Sequence, residues 1–443
     1  MVIVRFVCLF LVVCTLTAAP IYAQNPPGAP PAPSLGAPVA SLLEAAVTSD
    51  AASPSQDQPD ATHPVQVIDL DDVWHLLRRR QPPRPLVTDA PRQRSLVVAP
   101  TIGSKPTTGL TGGLSGNVVF YNGDPASTHL SAVTGGMKVS EKGQVLTGSR
   151  VAIFTDDDRW FLMGDNRMSW TSQSLYALGI DAPSSSATAS TFDVLRLYDM
   201  AYRKIGPGLF VGAGLNVSSH FEVEPGSATG AAAWEQSAYV AYNKAHGLPT
   251  SHQTSSGADV SLRYDTRDNG INPEIGALAS ATYRTFFDDF LGGNSTWQEL
   301  SFDARTYRKL TKSGRQKLAC WFLGDLVTGG TAPYWDLPST SMDGRSARGY
   351  AEGRYRGEHL LYWETEYRAT LTSNGLLGMV AFANVTTIGS AETGQRLFQS
   401  YAPGAGVGLR VLLNKRSRTN LCADWGWGKQ DSHGFYLAIQ EAF

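Results

Sequence analysis

From residue 93 onward, apolar and polar residues alternate one by one, the period at which a β-strand shows opposite faces. The clearest case is Arg348 to Arg368, RGYAEGRYRGEHLLYWETEYR. It opens as a Gly-rich loop with three arginines before His359. It then becomes a strand with Tyr362, Glu364, Glu366 and Arg368 on one side and Leu361, Trp363, Thr365 and Tyr367 on the other. One face is charged and the other aromatic, and neither suits a buried soluble core. A transmembrane barrel wants this pattern, with lipid outside and a polar interior. The same alternation sets Ser261, Arg263, Asp265 and Arg267 against Val260, Leu262 and Tyr264. It also sets Glu299, Ser301, Asp303 and Arg305 against Leu300, Phe302 and Ala304. A β-sandwich would have to bury the charges or expose the aromatics.

Candidate strands fall at 94–104, 108–121, 127–139, 143–155, 158–170, 190–204, 208–222, 254–267, 275–287, 296–309, 315–327, 355–371, 376–388, 403–413, 418–428 and 434–443. The fold class is therefore all-β, a transmembrane antiparallel β-barrel of about sixteen strands over 93–443. Most of these segments are long enough for a tilted strand to cross a bilayer. The connections alternate in length. Those at 156–158, 205–208, DNGINPEIG and LTKSG are short, whereas 171–189, 223–253 and 328–354 are long. Outer-membrane barrels have short periplasmic turns and long outside loops. Counted back from the last strand, the long loops all fall on one side, and an even strand count puts both barrel ends in the periplasm.

The N-terminal part reads differently. Residues 1–23 carry Arg5, the apolar run FVCLFLVVC and a small-residue exit at Ala23, a secretory signal peptide by pattern. Residues 24–92 form a Pro-rich extension expected in the periplasm. Within it, 65–80 has helical periodicity, with Leu70, Trp74 and Leu77 on the apolar stripe, acids early and arginines late. Too short to fold alone, this helix needs a partner surface, either as a docked surface helix or as a plug in or beneath the barrel. Outside the first residues no apolar window reaches the ~18 residues of a helical span. The formal charge of −2 argues against a nucleic-acid partner. Signal removal would leave Cys320 and Cys422, on strands far apart in sequence, which we expect as free thiols.

Three blocks together resemble the surface-antigen (BamA/TamA-like) barrel of the outer membrane protein 85 superfamily. The first is Tyr264-Asp265-Thr266-Arg267-Asp268-Asn269, with Pro273 and Gly276. The second is Arg348-Gly349-Tyr350, followed by Glu366-Tyr367-Arg368. The third is the end, GWGKQDSHGFYLAIQEAF, whose Phe435, Leu437, Ile439 and Phe443 alternate as in the strand read by the outer-membrane assembly machinery. The resemblance implies that the loop bearing Arg348, Gly349 and Tyr350 folds back into the lumen and is latched there by acidic wall residues. Where the family carries Phe-x-Asp, this chain has Phe382-Ala383-Asn384. Asn384 can only hydrogen-bond, so Glu364 or Glu366, beside Arg368, would carry the charge. The family's periplasmic POTRA modules and the lipase domain of some relatives have no counterpart in 24–92.

No catalytic or nucleotide-binding motif is present, and the eight histidines are scattered, so no enzyme, cofactor or metal is expected. The expected function is transport or insertion of protein or lipid at the bacterial outer membrane. The expected partners are outer-membrane lipids, the assembly machinery and a second copy of the chain. The alternative is a passive or loop-plugged channel, or a structural surface protein.

Overall fold

The computed structural model describes Val67, Asp69, Asp72, Val73 and residues 95–443, apart from 416 and 417. The strands are β1 (Ser95–Lys105), β2 (Gly109–Phe120), β3 (Ser131–Ser140), β4 (Val145–Phe154), β5 (Trp160–Leu175), β6 (Thr188–Gly206), β7 (Leu209–Pro225) and β8 (Gln253–Asp265). They continue with β9 (Gly276–Phe286), β10 (Trp297–Lys309), β11 (Gln316–Gly330), β12 (His359–Thr370), β13 (Leu377–Gly389), β14 (Ala402–Asn414), β15 (Thr419–Gly428) and β16 (His433–Ile439). Each pairs antiparallel with its sequence neighbours, and β1 closes on β16 to complete the barrel. The alternation explains the wall. Leu215, Val260, Leu262, Trp363, Leu409 and Trp427 are exposed on its outer face. Glu364, Glu366, Arg368, Arg410 and Asp424 are buried on its inner one.

The seams are unequal. β1 and β2 are registered over eleven residue pairs and β15 and β16 over seven, but β1 meets β16 at the single pair Ser104↔Leu437. The cause lies at the end of β16. Gln440 has φ +86°, so the chain leaves the wall there and turns inward. This corrects the reading of 434–443 as one strand. Phe435, Leu437 and Ile439 keep the outward face, whereas Phe443 does not share it. Phe443 is buried, with its ring 5.2 Å from that of Trp321 and 6.2 Å from that of Tyr307. Extended pairing would have matched residues 440–443 with the middle of β1, so the inward turn removes those partners. Pro100 of β1 also lacks a donor for either neighbour.

At the far end from the termini the long connections build a cap. The β7–β8 connection, read as a plain loop, contains two helices, α1 (Ala231–Glu235) and α2 (Ala238–Ala245). The Ser237 hydroxyl caps α2 by accepting from the Val240 amide. Tyr239 and Tyr242 of α2 pack with Tyr334, Trp335 and Phe192. β12 begins at His359 rather than 355, because Arg356 stays in the loop. Its Nη1 donates to the carbonyls of Tyr334, Trp335 and Leu337 at 2.7, 2.9 and 3.1 Å.

The opposite mouth is bridged by short turns. Arg418, between β14 and β15, reaches Asp268 of the β8–β9 turn at 2.6 Å. Within that turn Asp265 accepts from Arg267 Nε at 2.9 Å and Arg263 Nη2 at 2.6 Å. Asn269 accepts from the Ile271 and Asn272 amides, both at 2.8 Å. The N-terminal segment docks at this end. Asp69 and Asp72 accept reciprocally from each other's amides, as in a capping box, and the Lys415 ammonium meets Asp72 at 2.6 Å. Leu70, Trp74 and Leu77 lie outside the described residues. Cys320 and Cys422 are free. They sit on β11 and β15 and point to opposite sides of the wall.

Candidate functional site: a loop anchored inside the wall

The β11–β12 connection, residues 331–358, leaves the rim and descends into the barrel. Arg348 at its tip is 2% exposed. Its Nη2 donates to Glu364 Oε1 at 2.5 Å and to Glu366 Oε1 at 3.0 Å, and its Nη1 donates to Asp424 Oδ2 at 2.6 Å. The guanidinium also lies 3.7 Å from the centroid of Phe382. A planar fork is the side chain able to serve three acceptors in one plane while stacking on a ring.

The loop backbone needs room to come this close, and glycines supply it. Gly349 has φ +113°, a conformation open to residues without Cβ. Beneath it, a Cβ on Gly426 would sit 2.7 Å from the Gly349 nitrogen, and one on Gly428 would strike the Tyr350 ring. The backbone is then held group by group. The Gly349 amide donates to the Tyr436 hydroxyl at 2.9 Å, and Ser432 donates to the Gly349 carbonyl at 2.8 Å. The Tyr350 hydroxyl donates to the Pro403 carbonyl and accepts from the Lys429 amide. Asn384 Nδ2 donates to the Arg348 carbonyl at 3.1 Å and lies 3.4 Å from Glu364 Oε2. Asn384 thus fills the acid's position with hydrogen bonds alone.

Charge continues beyond the loop. Arg368 donates to Glu366 at 2.7 and 3.0 Å and to the Phe443 carbonyl at 2.9 Å. Arg410 binds Asp424 on one side and Glu441 at 2.7 Å on the other, and Asn420 donates to Glu441 at 2.7 Å. Tyr362 donates to Glu364 Oε2 at 2.5 Å. Arg348, Arg368 and Arg410 therefore share Glu364, Glu366, Asp424 and Glu441. One continuous network ties the loop to β12, β14, β15 and the inward tail.

Among the candidate residues, the structure brings Arg348, Gly349, Tyr350, Glu364, Glu366, Arg368 and Asn384 together. It leaves Asp265, Arg267, Asp268 and Asn269 at the termini end of the wall. Sequence reasoning missed Asp424, Arg410 and Glu441. The available signal was that Arg410 and Asp424 occupy the polar phase of otherwise apolar alternating strands.

A closed sixteen-stranded antiparallel wall, apolar outward and charged inward, defines the class: a bacterial outer-membrane β-barrel. The Omp85 superfamily domain matches residues 165–443, more than half of the chain, and the chain belongs to that superfamily. Among solved structures it is similar to BamA from Haemophilus ducreyi lacking POTRA domains 1–3. The identity is 11% and the TM-score 0.54, over 79% of this chain and 70% of that one. It is also similar to CdiB from Acinetobacter baumannii, at 12% identity and TM-score 0.50, over 79% of this chain and 65% of that one. At these identities the likeness is one of fold. No curated protein matches. Among the described residues there is no POTRA module.

Proposed function

We propose that this barrel inserts or passes polypeptide or lipid at the outer membrane, using the β1–β16 seam as a lateral exit while the Arg348 loop stays latched in the lumen. The observation that carries the reading is the seam itself, registered at one residue pair where its neighbours have eleven and seven. Residues 1–23 act in this reading as the export signal and 24–92 as a periplasmic extension. Phe435, Leu437 and Ile439 form the outward row offered to the assembly machinery.

The latch supports this role by bracing the strands next to the seam. A wall that opens at one joint needs the adjoining strands held in place. Arg348 and Arg410 tie β12, β14 and β15 together a few strands away. The test is a seam lock, Ser104→Cys with Leu437→Cys in a Cys320→Ser, Cys422→Ser background. The assay follows folding of a urea-unfolded eight-stranded outer-membrane barrel into vesicles that carry the protein. The reduced form is expected to speed client folding, the oxidised form to lose that effect, and reductant to restore it. Equal activity of the oxidised form rejects the lateral exit. Planar-bilayer conductance that rises on deleting 345–355, with no effect on client folding, favours a loop-plugged channel.

A further inference from the structure

The outer face of the wall is broken at one place. Asp199 of β6 pairs in register with Leu215, which is 60% exposed on the lipid side, so Asp199 faces lipid too. Asn166 of β5 and Ser149 of β4 are registered with each other on the same face. The other outward strand carboxylates, Asp193, Glu222 and Glu224, gather at the outer rim, and the remaining ones point inward. Depth follows from the strands. Trp160, at the termini end of β5, pairs with Arg203 of β6, and Asp199 lies four residues further along. At ~3.3 Å per residue and a ~45° tilt this is roughly 9 Å into an apolar band ~25 Å tall.

The patch is shaped as well as polar. Asn166 Nδ2 donates to Asp199 Oδ1 at 3.2 Å. A Cβ on Gly164 would stand 2.5 Å from that oxygen, so the glycine lets the carboxyl lie flat across β5. Asn166 is 5% and Ser149 8% exposed, yet the Asn166 Oδ1 and the Ser149 hydroxyl have no hydrogen-bond partner among the described residues. Continuing from Ser149, the cross-strand row runs through Gly135 and Gly116. Four small or short side chains in one row make a shallow channel about 15 Å long at the usual strand spacing.

We propose that this patch is the contact between two copies of the chain, related by a two-fold axis in the membrane. A lipid tail can neither donate to Asp199 nor satisfy Asn166 and Ser149. The patch itself carries an amide and a hydroxyl donor beside carboxylate and carbonyl acceptors, so it is complementary to its own image, as an isologous contact requires. The glycine row lets two curved walls approach closely, which is how small residues act in membrane-embedded contacts.

The test uses the full chain in phosphatidylcholine vesicles, labelled at Ser313→Cys in a Cys320→Ser background, with the dimer dissociation constant read by energy transfer between donor- and acceptor-labelled copies. The parent should show saturable transfer. Asn166→Leu with Asp199→Leu should weaken the dimer by about tenfold, since two symmetry-related polar contacts are lost. Gly135→Leu keeps the polar groups and fills the row, where a Cβ meets only ordinary contacts, and should weaken it similarly. Leu409→Ala, on another part of the wall, should leave it unchanged. Parent protein without saturable transfer, or both patch variants with the parent's dissociation constant, overturns the proposal.

Discussion

Replacing Arg348 by alanine removes the cation shared by three buried carboxylates. After the change, Arg368 and Arg410 must serve Glu366, Asp424 and Glu441, and Glu364 keeps only the Tyr362 hydroxyl and the Asn384 amide. Breaking a buried ion pair from one side costs about 3–5 kcal/mol, because the orphaned charge stays buried. Arg348 is only 2% exposed, so solvent screening offers little relief. At roughly 2 °C of melting temperature per kcal/mol for a large domain, the barrel should melt about 6–10 °C lower. The assay is the temperature at which folded protein loses its compact migration on detergent gels, with tryptophan fluorescence as a second probe. The informative companion is Arg348→Met with Glu364→Gln, which removes the carboxylate that has no other arginine, leaves Glu366 to Arg368 and Asp424 to Arg410, and should recover part of the loss. An Arg348→Ala barrel that melts with the parent refutes the anchoring argument. A double variant no better than the single one refutes its electrostatic basis.

At the termini end, burial pushes the Asp72 carboxyl up, but Lys415 and the Asp69 amide outweigh it and hold the group below its ordinary value. The docking it contributes is therefore complete above the ordinary carboxylate range and lost as pH falls through the lowered value. The hydrogen-exchange protection factors of the Asp69, Asp72 and Val73 amides, corrected for the intrinsic rate at each pH, should fall on acidification, and Lys415→Ala should reproduce that fall at pH 7; equal protection in both conditions counts against docking through this pair. Glu441→Ala should free the tail, exposing residues 440–443 to carboxypeptidase, and unchanged resistance would mean that Arg410 does not hold it. A lipid-soluble maleimide should modify Cys320 in the folded barrel and spare Cys422, as read by peptide mass spectrometry; equal modification of both would contradict their opposite facing.

Strands were legible because a wall between lipid and a charged interior imposes a period of two on every segment, and that period survives without knowledge of any partner. Ends of strands were not legible where a single distant contact decides them. His359–Thr370 starts late because Arg356 is claimed by three carbonyls some twenty residues earlier, and His433–Ile439 stops early because Gln440 adopts a positive φ. The site divided the same way. Alternation put Glu364 and Glu366 on one face, whereas the expectation that Arg348 would meet them came from the family resemblance and not from their spacing. Asp424 is 76 residues from Arg348, and its approach depends on three intervening strands stacking in register. Helix α2 left a local trace in Ser237 ahead of a helix-favouring run, but a loop reading of 223–253 passed over it.

The tail links the two features that give the barrel its asymmetry. Residues 440–443 can lie along β1 or inside the lumen, but not both. Inside, Glu441 meets Arg410, the Phe443 carbonyl meets Arg368, and the Phe443 ring packs on Trp321. Arg368 and Arg410 also bind Glu366 and Asp424, the carboxylates that hold Arg348. Whatever weakens the loop's hold on those acids changes the charge left to the tail's arginines. The luminal network thus thins the seam beyond what Pro100 of β1 does, by drawing 440–443 off β1, and the pairing lost at Gln440 is offset by burial of Glu441 and Phe443. The inward turn keeps residues 440–443 out of the hydrocarbon, where unpaired backbone groups are costly, and moves that cost to the facing edge of β1, which is registered with β16 only at Ser104.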